Sequence, residues 1–314
     1  MRNVILDCDP GHDDAISIII GASKRSGLNI LGITTVAGNV EVEKNTRNAL
    51  QVCELIGLDV PVVEGAVRPL VRESEIAPEI HGETGLDGPV LEAPRKEKSS
   101  GHAVDFIIEQ VKKSEGKVTL VPTGPLTNIA LALIKEPSIK DNIDEIVLMG
   151  GGTFGNWTPA AEFNIYVDAE AAKVVYESGV PVTMFGLDVT HQVIADEAII
   201  NRVAEIDNIT AGFVKELLIF FAETYRNHFG FSGGPIHDAC TTMYLIDPDM
   251  FNFEDVNVTI ETKGEATYGM TVVDLLKTTG KTENVKFATG VDEETFWNVF
   301  LDILDSYGET NAEA

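Results

Sequence analysis

Short apolar runs rich in β-branched residues alternate with amphipathic stretches as far as Phe185, and this rhythm restricts the available folds more than any other feature of the chain. Its periodicity predicts strands at Asn3–Cys8, Asn29–Ala37, Val60–Val63, Lys117–Val121, Glu145–Gly150 and Val180–Phe185. Between them it predicts helices at Asp13–Arg25, Val42–Ile56, His102–Lys113, Leu126–Lys135 and Ala169–Ser178. Strands that are apolar throughout need cover on both faces, and parallel neighbours need a crossover, so the expectation is an α/β fold with a doubly wound, mostly parallel central sheet flanked by helices. Beyond Asp196 the pattern becomes mainly helical (Glu197–Glu205, Thr210–Arg226, His237–Leu245), with strands at Val256–Glu261 and Thr267–Asp274 and a closing helix at Glu293–Ser306. A chain of 314 residues, 44% of them hydrophobic, fills one large core, and no repeat or linker divides it, so a single domain over 1–314 is expected.

A net charge of −27 argues against nucleic acid as a partner, because displacing counterions from phosphates requires clustered Lys and Arg. No apolar run approaches the ~18 residues of a membrane span, and the chain opens on its first strand without a leader pattern. Three widely spaced cysteines (Cys8, Cys53, Cys240) suit a reducing compartment rather than a disulfide framework. A cytoplasmic protein with no membrane partner is the expectation.

In open α/β sheets ligands bind beyond the carboxyl ends of the strands, and those positions are unusually polar here. The first strand delivers Asp7, Asp9, Asp13 and Asp14, with Pro10, Gly11 and His12 among them. Four crowded carboxylates repel unless a cation lies between them, and a divalent ion answers that need. Asp13 and Asp14 also suit the positive end of a helix, a role that needs no chemistry. Later strands deliver Gly38-Asn39, Pro122-Thr123-Gly124 and Met149 to Gly152, followed by Asn156 and Glu162-Phe163-Asn164; Pro235-Ile236-His237-Asp238 precedes a late helix. Two loops rich in Gly and His, Ile80 to Glu83 and His228 to Gly234, have the composition of mobile rims. Tyr225 shares an apolar helical stripe with Phe221 and by default belongs to the core.

Gly150, Gly152 and Gly155 satisfy G-x-G-x-x-G, but a dinucleotide site needs a helix to begin within the glycines, and Asn156-Trp157-Thr158-Pro159 reads as loop. Asp7-Cys8-Asp9 also fits the spacing of Mg²⁺-dependent aspartate-nucleophile phosphohydrolases, yet Gly11 stands where those enzymes carry Thr or Ser.

The run Asp7-Cys8-Asp9-Pro10-Gly11-His12-Asp13-Asp14-Ala15 resembles the opening signature D-x-D-P-G-x-D-D-A of the inosine-uridine-preferring nucleoside hydrolases. The likeness continues through Thr34 to Asn39, Val121 to Asn128, Val147 to Gly152, Ala161 to Asn164 and His237 to Cys240, in the family's order. The resemblance implies hydrolysis of the N-glycosidic bond of purine or pyrimidine ribonucleosides in nucleoside salvage, by a homodimer or homotetramer acting on a small-molecule substrate. It implies Ca²⁺ held by Asp9, Asp14, the main-chain oxygen of Thr123 and Asp238, with Asp9 as general base toward a calcium-bound water. Asp13, Asn39, Asn164 and Glu162 would clamp the ribose hydroxyls, with Met149 and Asn156 on the sugar's other side. His237 would serve the departing base, beside which His81, Tyr225 and Phe229 would lie. Two positions depart from the family pattern: His12, often apolar, and Ala239, often proline. A binding module that kept the site without catalysis is the alternative from another class.

Overall fold

The computed structural model describes residues 1–310; positions 311–314 of the expected 1–314 domain lie outside them. Its strands are, in chain order, β1 (Arg2–Cys8), β2 (Leu28–Thr35), β3 (Val62–Glu64), β4 (Val118–Pro122), β5 (Ile143–Met149), β6 (Val182–Phe185), β7 (Ile194–Ala195), β8 (Gly234–Pro235), β9 (Phe251–Val256), β10 (Val258–Ile260), β11 (Thr271–Val273) and β12 (Val285–Val291). Eight of them form the central sheet in the order β3-β2-β1-β4-β5-β6-β12-β9, parallel throughout except for the antiparallel pair β12/β9. Two small antiparallel ribbons, β10/β11 and β7/β8, lie outside it.

Strand alternation divides the apolar residues between two cores. Val4, Leu6 and Cys8 of β1 join Ile16, Ile20, Val52, Leu217, Met243 and Phe300, which come from helices His12–Ala22, Val42–Ile56, Ile209–Phe229, Ala239–Ile246 and Glu293–Thr310. Ile5 turns the other way and joins Ile107, Ile129, Leu133 and Val175 from helices Ala103–Lys113, Thr127–Lys135 and Ala169–Tyr176. Both faces of the sheet are therefore covered, as continuous apolar strands require. Successive strands run outward from β1 through β2 to β3 on one side and from β4 through β5 to β6 on the other, so the chain reverses direction between β1 and β4. That reversal opens a crevice at the carboxyl ends of the two strands.

The carboxyl-terminal third differs from expectation. The predicted strand over 256–261 breaks at Asn257 into the end of β9 and β10, and the one over 267–274 shrinks to β11. β9 itself and β12 were not foreseen; they extend the sheet past β6, where Asn252, Glu254 and Asp255 face solvent at the edge and give β9 a polar, loop-like composition. The helix expected to open at His237 begins at Ala239, and the long one before it continues to Phe229, where Gly230 stops it in a left-handed conformation (φ 72°). All three cysteines are free and buried. Among the described residues no helix is long and apolar enough to cross a membrane.

Phe185 ends β6 fully buried, its ring 5.0 Å from that of Phe251 and 5.5 Å from that of Tyr244. Phe185→Ala is expected to cost about 3–5 kcal/mol of stability, read as a lower denaturant midpoint with an unchanged slope.

Candidate active site

The crevice between β1 and β4 holds a cavity of about 400 Å³. It is lined by Asp13, Asn39, His81, Thr123, Met149, Asn156, Glu162, Asn164, Tyr225, Phe229, His237 and Asp238, all singled out in the sequence. The two others, Asp9 and Asp14, are buried and hydrogen-bond lining residues: Asn39 in the first case, Thr123 and Asn39 in the second.

Asp9 follows β1 and is held on several sides. Its Oδ2 accepts from the Asn39 amide at 2.7 Å, and its main-chain oxygen accepts from Asn39 Nδ2 at 3.0 Å. A Cβ at Gly38 would stand 2.0 Å from Oδ2 and one at Gly124 2.5 Å from Oδ1, so glycine is required at both positions for the carboxylate to fit. Oδ1 is buried and has no hydrogen-bond partner. Asp14 opens helix His12–Ala22; its Oδ2 accepts from the Gly11 amide at 3.0 Å and its Oδ1 from Thr123 Oγ1 at 2.7 Å. Helix capping thus explains one oxygen of Asp14 and leaves the other to the site. Asp238 arrives from the far end of the chain, its main-chain oxygen bonded by Ser17 and Thr241. Asp13, Asp14 and Asp238 each offer a carboxylate oxygen within 4.8 Å of the others.

Such crowding without a counter-charge is costly. Burial first, and the neighbouring carboxylates next, raise Asp9 and Asp238 well above the usual range and push Asp13 up to about 8. Burial also raises Asp14, against the hydrogen bonds from Gly11 and Thr123. Among the described residues no Lys or Arg lines the cavity. The donors are all hard oxygens, an orphaned one among them, and this set fits a hard divalent cation better than a soft one.

The far wall is built differently. Glu162 caps helix Phe163–Val167 by accepting from the Asn164 and Ile165 amides and also accepts from the Gly151 amide after β5, and burial nevertheless pushes it up to about 7. Asn164 spends its amide on the Thr123 main-chain oxygen (2.8 Å) and the Met149 main-chain oxygen (3.3 Å), tying the ends of β4 and β5 together. Asn156 Oδ1 accepts from the Phe163 amide. The glycines after β5 feed no helix: the Gly151 and Gly152 amides are taken by Glu162 and by Thr271 Oγ1, which excludes the dinucleotide reading.

Elsewhere on the cavity wall, the buried His237 is bracketed by Thr190 Oγ1 at Nδ1 (2.7 Å) and by the Tyr225 hydroxyl at Nε2 (2.8 Å). Tyr225, 5% exposed, is therefore more than a core residue on an apolar stripe, while Phe229, one helical turn on, is 43% exposed. Sequence reasoning missed Thr190, which stands in no motif. It also missed Trp157, whose Nε1 donates to Glu75 at 2.8 Å and whose ring packs edge-on against Phe163, although its place beside Asn156 was a usable signal.

A family model described as inosine-uridine preferring nucleoside hydrolase matches residues 4–298. The chain is 49% identical to a pyrimidine-specific ribonucleoside hydrolase RihA from Shewanella sp. (strain MR-4), over 98% of both chains. It is 43% identical to a pyrimidine-specific ribonucleoside hydrolase RihB from Shigella flexneri serotype 5b, over 99% of each. A solved purine-preferring ribonucleoside hydrolase from Gardnerella vaginalis superposes with a TM-score of 0.91 at 34% identity, covering 98% of this chain and all of the other.

Proposed function

From its place among the inosine-uridine preferring nucleoside hydrolases, the family to which this chain belongs, we infer that it is a Ca²⁺-dependent ribonucleoside N-glycosidase with a preference for pyrimidine bases. Hydrolysis of ribonucleosides rests on the family as a whole, and the pyrimidine preference on the names of relatives 43–49% identical to it. The observation that carries the reading is the buried group Asp13, Asp14 and Asp238, whose carboxylate oxygens lie within 4.8 Å of one another, with the buried Asp9 carboxylate interacting electrostatically with Asp14 and Asp13 and its Oδ1 orphaned. Asp9, Asp14, Asp238 and the Thr123 main-chain oxygen would hold the ion. When bound, calcium supplies the positive charge that offsets these acids, grips vicinal hydroxyls and makes a nearby water more acidic.

The chain's own groups do the rest. Asp9 Oδ1, aimed by the bonds that fix Oδ2, takes a proton from the water that attacks C1′ as the C1′–N bond breaks. The ribose ring becomes positive on the way, and the Asp13 and Glu162 carboxylates on the cavity wall stabilise it. Asn39, Asn164, Met149 and Asn156 surround the sugar. The departing base takes the Tyr225 hydroxyl proton, which is made good through solvent by the proton Asp9 received from water; His237 backs the hydroxyl with Thr190 holding the imidazole in line, and His81 and Phe229 stand beside the base. A cytoplasmic homodimer or homotetramer serving nucleoside salvage is the setting this reading carries.

The test is a panel of uridine, cytidine, inosine, 2′-deoxyuridine and uridine 5′-monophosphate, assayed for reducing sugar, free base and phosphate with calcium and with chelator. Free base and ribose from uridine are expected. Hydroxyl contacts that strengthen as the ring flattens are worth several kcal/mol, so kcat/KM for 2′-deoxyuridine is expected to be about 10³-fold lower. Phosphate release would instead identify the Mg²⁺-dependent phosphohydrolase, and binding without turnover the silent module.

A further inference from the structure

The loop that carries His81 has the composition of a mobile rim, yet the structure ties it down. His81 closes the short helix Pro78–His81, and residues 82–88 follow without regular structure, Glu83 and Thr84 exposed, Gly85 and Leu86 buried. This stretch lies against the turn Asp9-Pro10-Gly11. A Cβ at Gly11 would stand 2.4 Å from His81 Nδ1, and one at Gly85 would stand 3.4 Å from the Pro10 main-chain oxygen.

The tie comes from a residue that stands in no motif. Asn48 lies in the interior of helix Val42–Ile56, 3% exposed, although asparagine is a poor helix former and a buried amide is costly without partners. Its Nδ2 donates to the Pro10 main-chain oxygen and to the Thr84 main-chain oxygen, both at 2.9 Å. A carbonyl only accepts, so both amide hydrogens are spent, one on each turn. The flanks of the stretch are held separately, by the Ala77 amide donating to the Asn39 main-chain oxygen at 2.9 Å and by His12 Nε2 donating to the Asp87 main-chain oxygen at 2.8 Å. The Asp87 carboxylate accepts from the Glu83 and Thr84 amides, which shapes residues 83–87 but docks them on nothing. Docking of their tip is left to Asn48 and to the burial of Leu86.

We propose that Asn48 is a positioning residue: by bridging Pro10 and Thr84 it docks residues 82–88 onto the Asp9-Pro10-Gly11 turn and so presets His81 on the cavity wall before substrate arrives. The consequence for substrate rests on the ribonucleoside hydrolase reading; the docking itself does not. Asn48→Leu is close in size, favours the helix and donates nothing. Gly85→Ala attacks the same contact from the other side, because its Cβ would stand 2.9 Å from Asn48 Nδ2 at a φ of 85°.

Hydrogen–deuterium exchange of the whole protein, followed on peptides covering 82–88, reads the undocked fraction directly. Exchange there is expected to quicken about tenfold or more in both variants, the worth of one to two hydrogen bonds, with that of helix Val42–Ile56 unchanged. The KM for uridine is expected to rise about fivefold while kcat holds within about twofold, because the competent fraction falls but the bound enzyme is docked in every case. Unchanged exchange over 82–88 in Asn48→Leu overturns the proposal. So does faster exchange spread along Val42–Ile56 with a matching fall in kcat, which is the mark of a purely structural role, and so does faster exchange over 82–88 with an unmoved KM. Absence of nucleoside hydrolysis by the unaltered protein would overturn the functional reading and the consequence for substrate, while the docking by Asn48 stood or fell by exchange alone.

Discussion

Replacing Asp9 with alanine is expected to lower kcat on uridine by about 10³–10⁴-fold, the range a positioned general base supplies. The geometry makes the effect specific. Asp9 is buried, its Oδ2 is spent on the Asn39 amide, and Oδ1 has no hydrogen-bond partner among the described residues, so one basic oxygen is left for solvent or cation. Asp9→Asn preserves the shape and removes the basicity, and a similar loss is expected from it. Neither variant should unfold the chain. Both remove one of four mutually repelling buried acids, so without calcium their melting temperatures should equal or exceed that of the parent. Retention of more than a tenth of the parent kcat in either variant would refute the assignment.

Removing calcium should have the second-largest effect, and its size should depend on pH. A ligand bound only by the folded state stabilises it by about 4 kcal/mol at a thousandfold excess over Kd, which for a chain of this size is on the order of 8 °C in Tm. The pH dependence follows from the raised carboxylates. An acid whose pKa is higher folded than unfolded adds stability below its unfolded value, and that stability is lost as pH climbs through the folded value. Asp13 spans the window from its ordinary 3.8 to about 8, and Asp9, Asp14 and Asp238 are shifted in the same direction. The chelated protein should therefore lose stability steadily from about pH 4 to 8, while the calcium-loaded protein should not. The gap between the two melting curves should be small at pH 5 and widest near pH 8. A gap that narrows with rising pH would place the ion elsewhere.

What could be read from the sequence divides along physical lines. β1 to β6 announce themselves because burial on both faces forces runs of apolar residues, and the rule that α/β sheets work at their carboxyl ends then points to Asp9, Asn39, Thr123 and Met149 without further information. β9 was hidden by the charged residues of an exposed edge, Glu254 and Asp255 among them. β12 passed unnoticed beside it, although Val285 and Phe287 are buried. Partnerships across long sequence separations were equally invisible. Nothing near Thr190 signals His237, 47 positions away, and nothing near His12 signals His81, 69 away. Asn164 was recognised as a site residue, but its amide joins two strand ends, a task that only the assembled sheet defines.

Tyr225 and Phe229 occupy successive turns at the end of one helix, the first anchored to His237 and the second reaching into solvent. On the proposed roles, a substitution at the outer position would alter the fit of the aglycone while leaving the buried Tyr225–His237 pair in place.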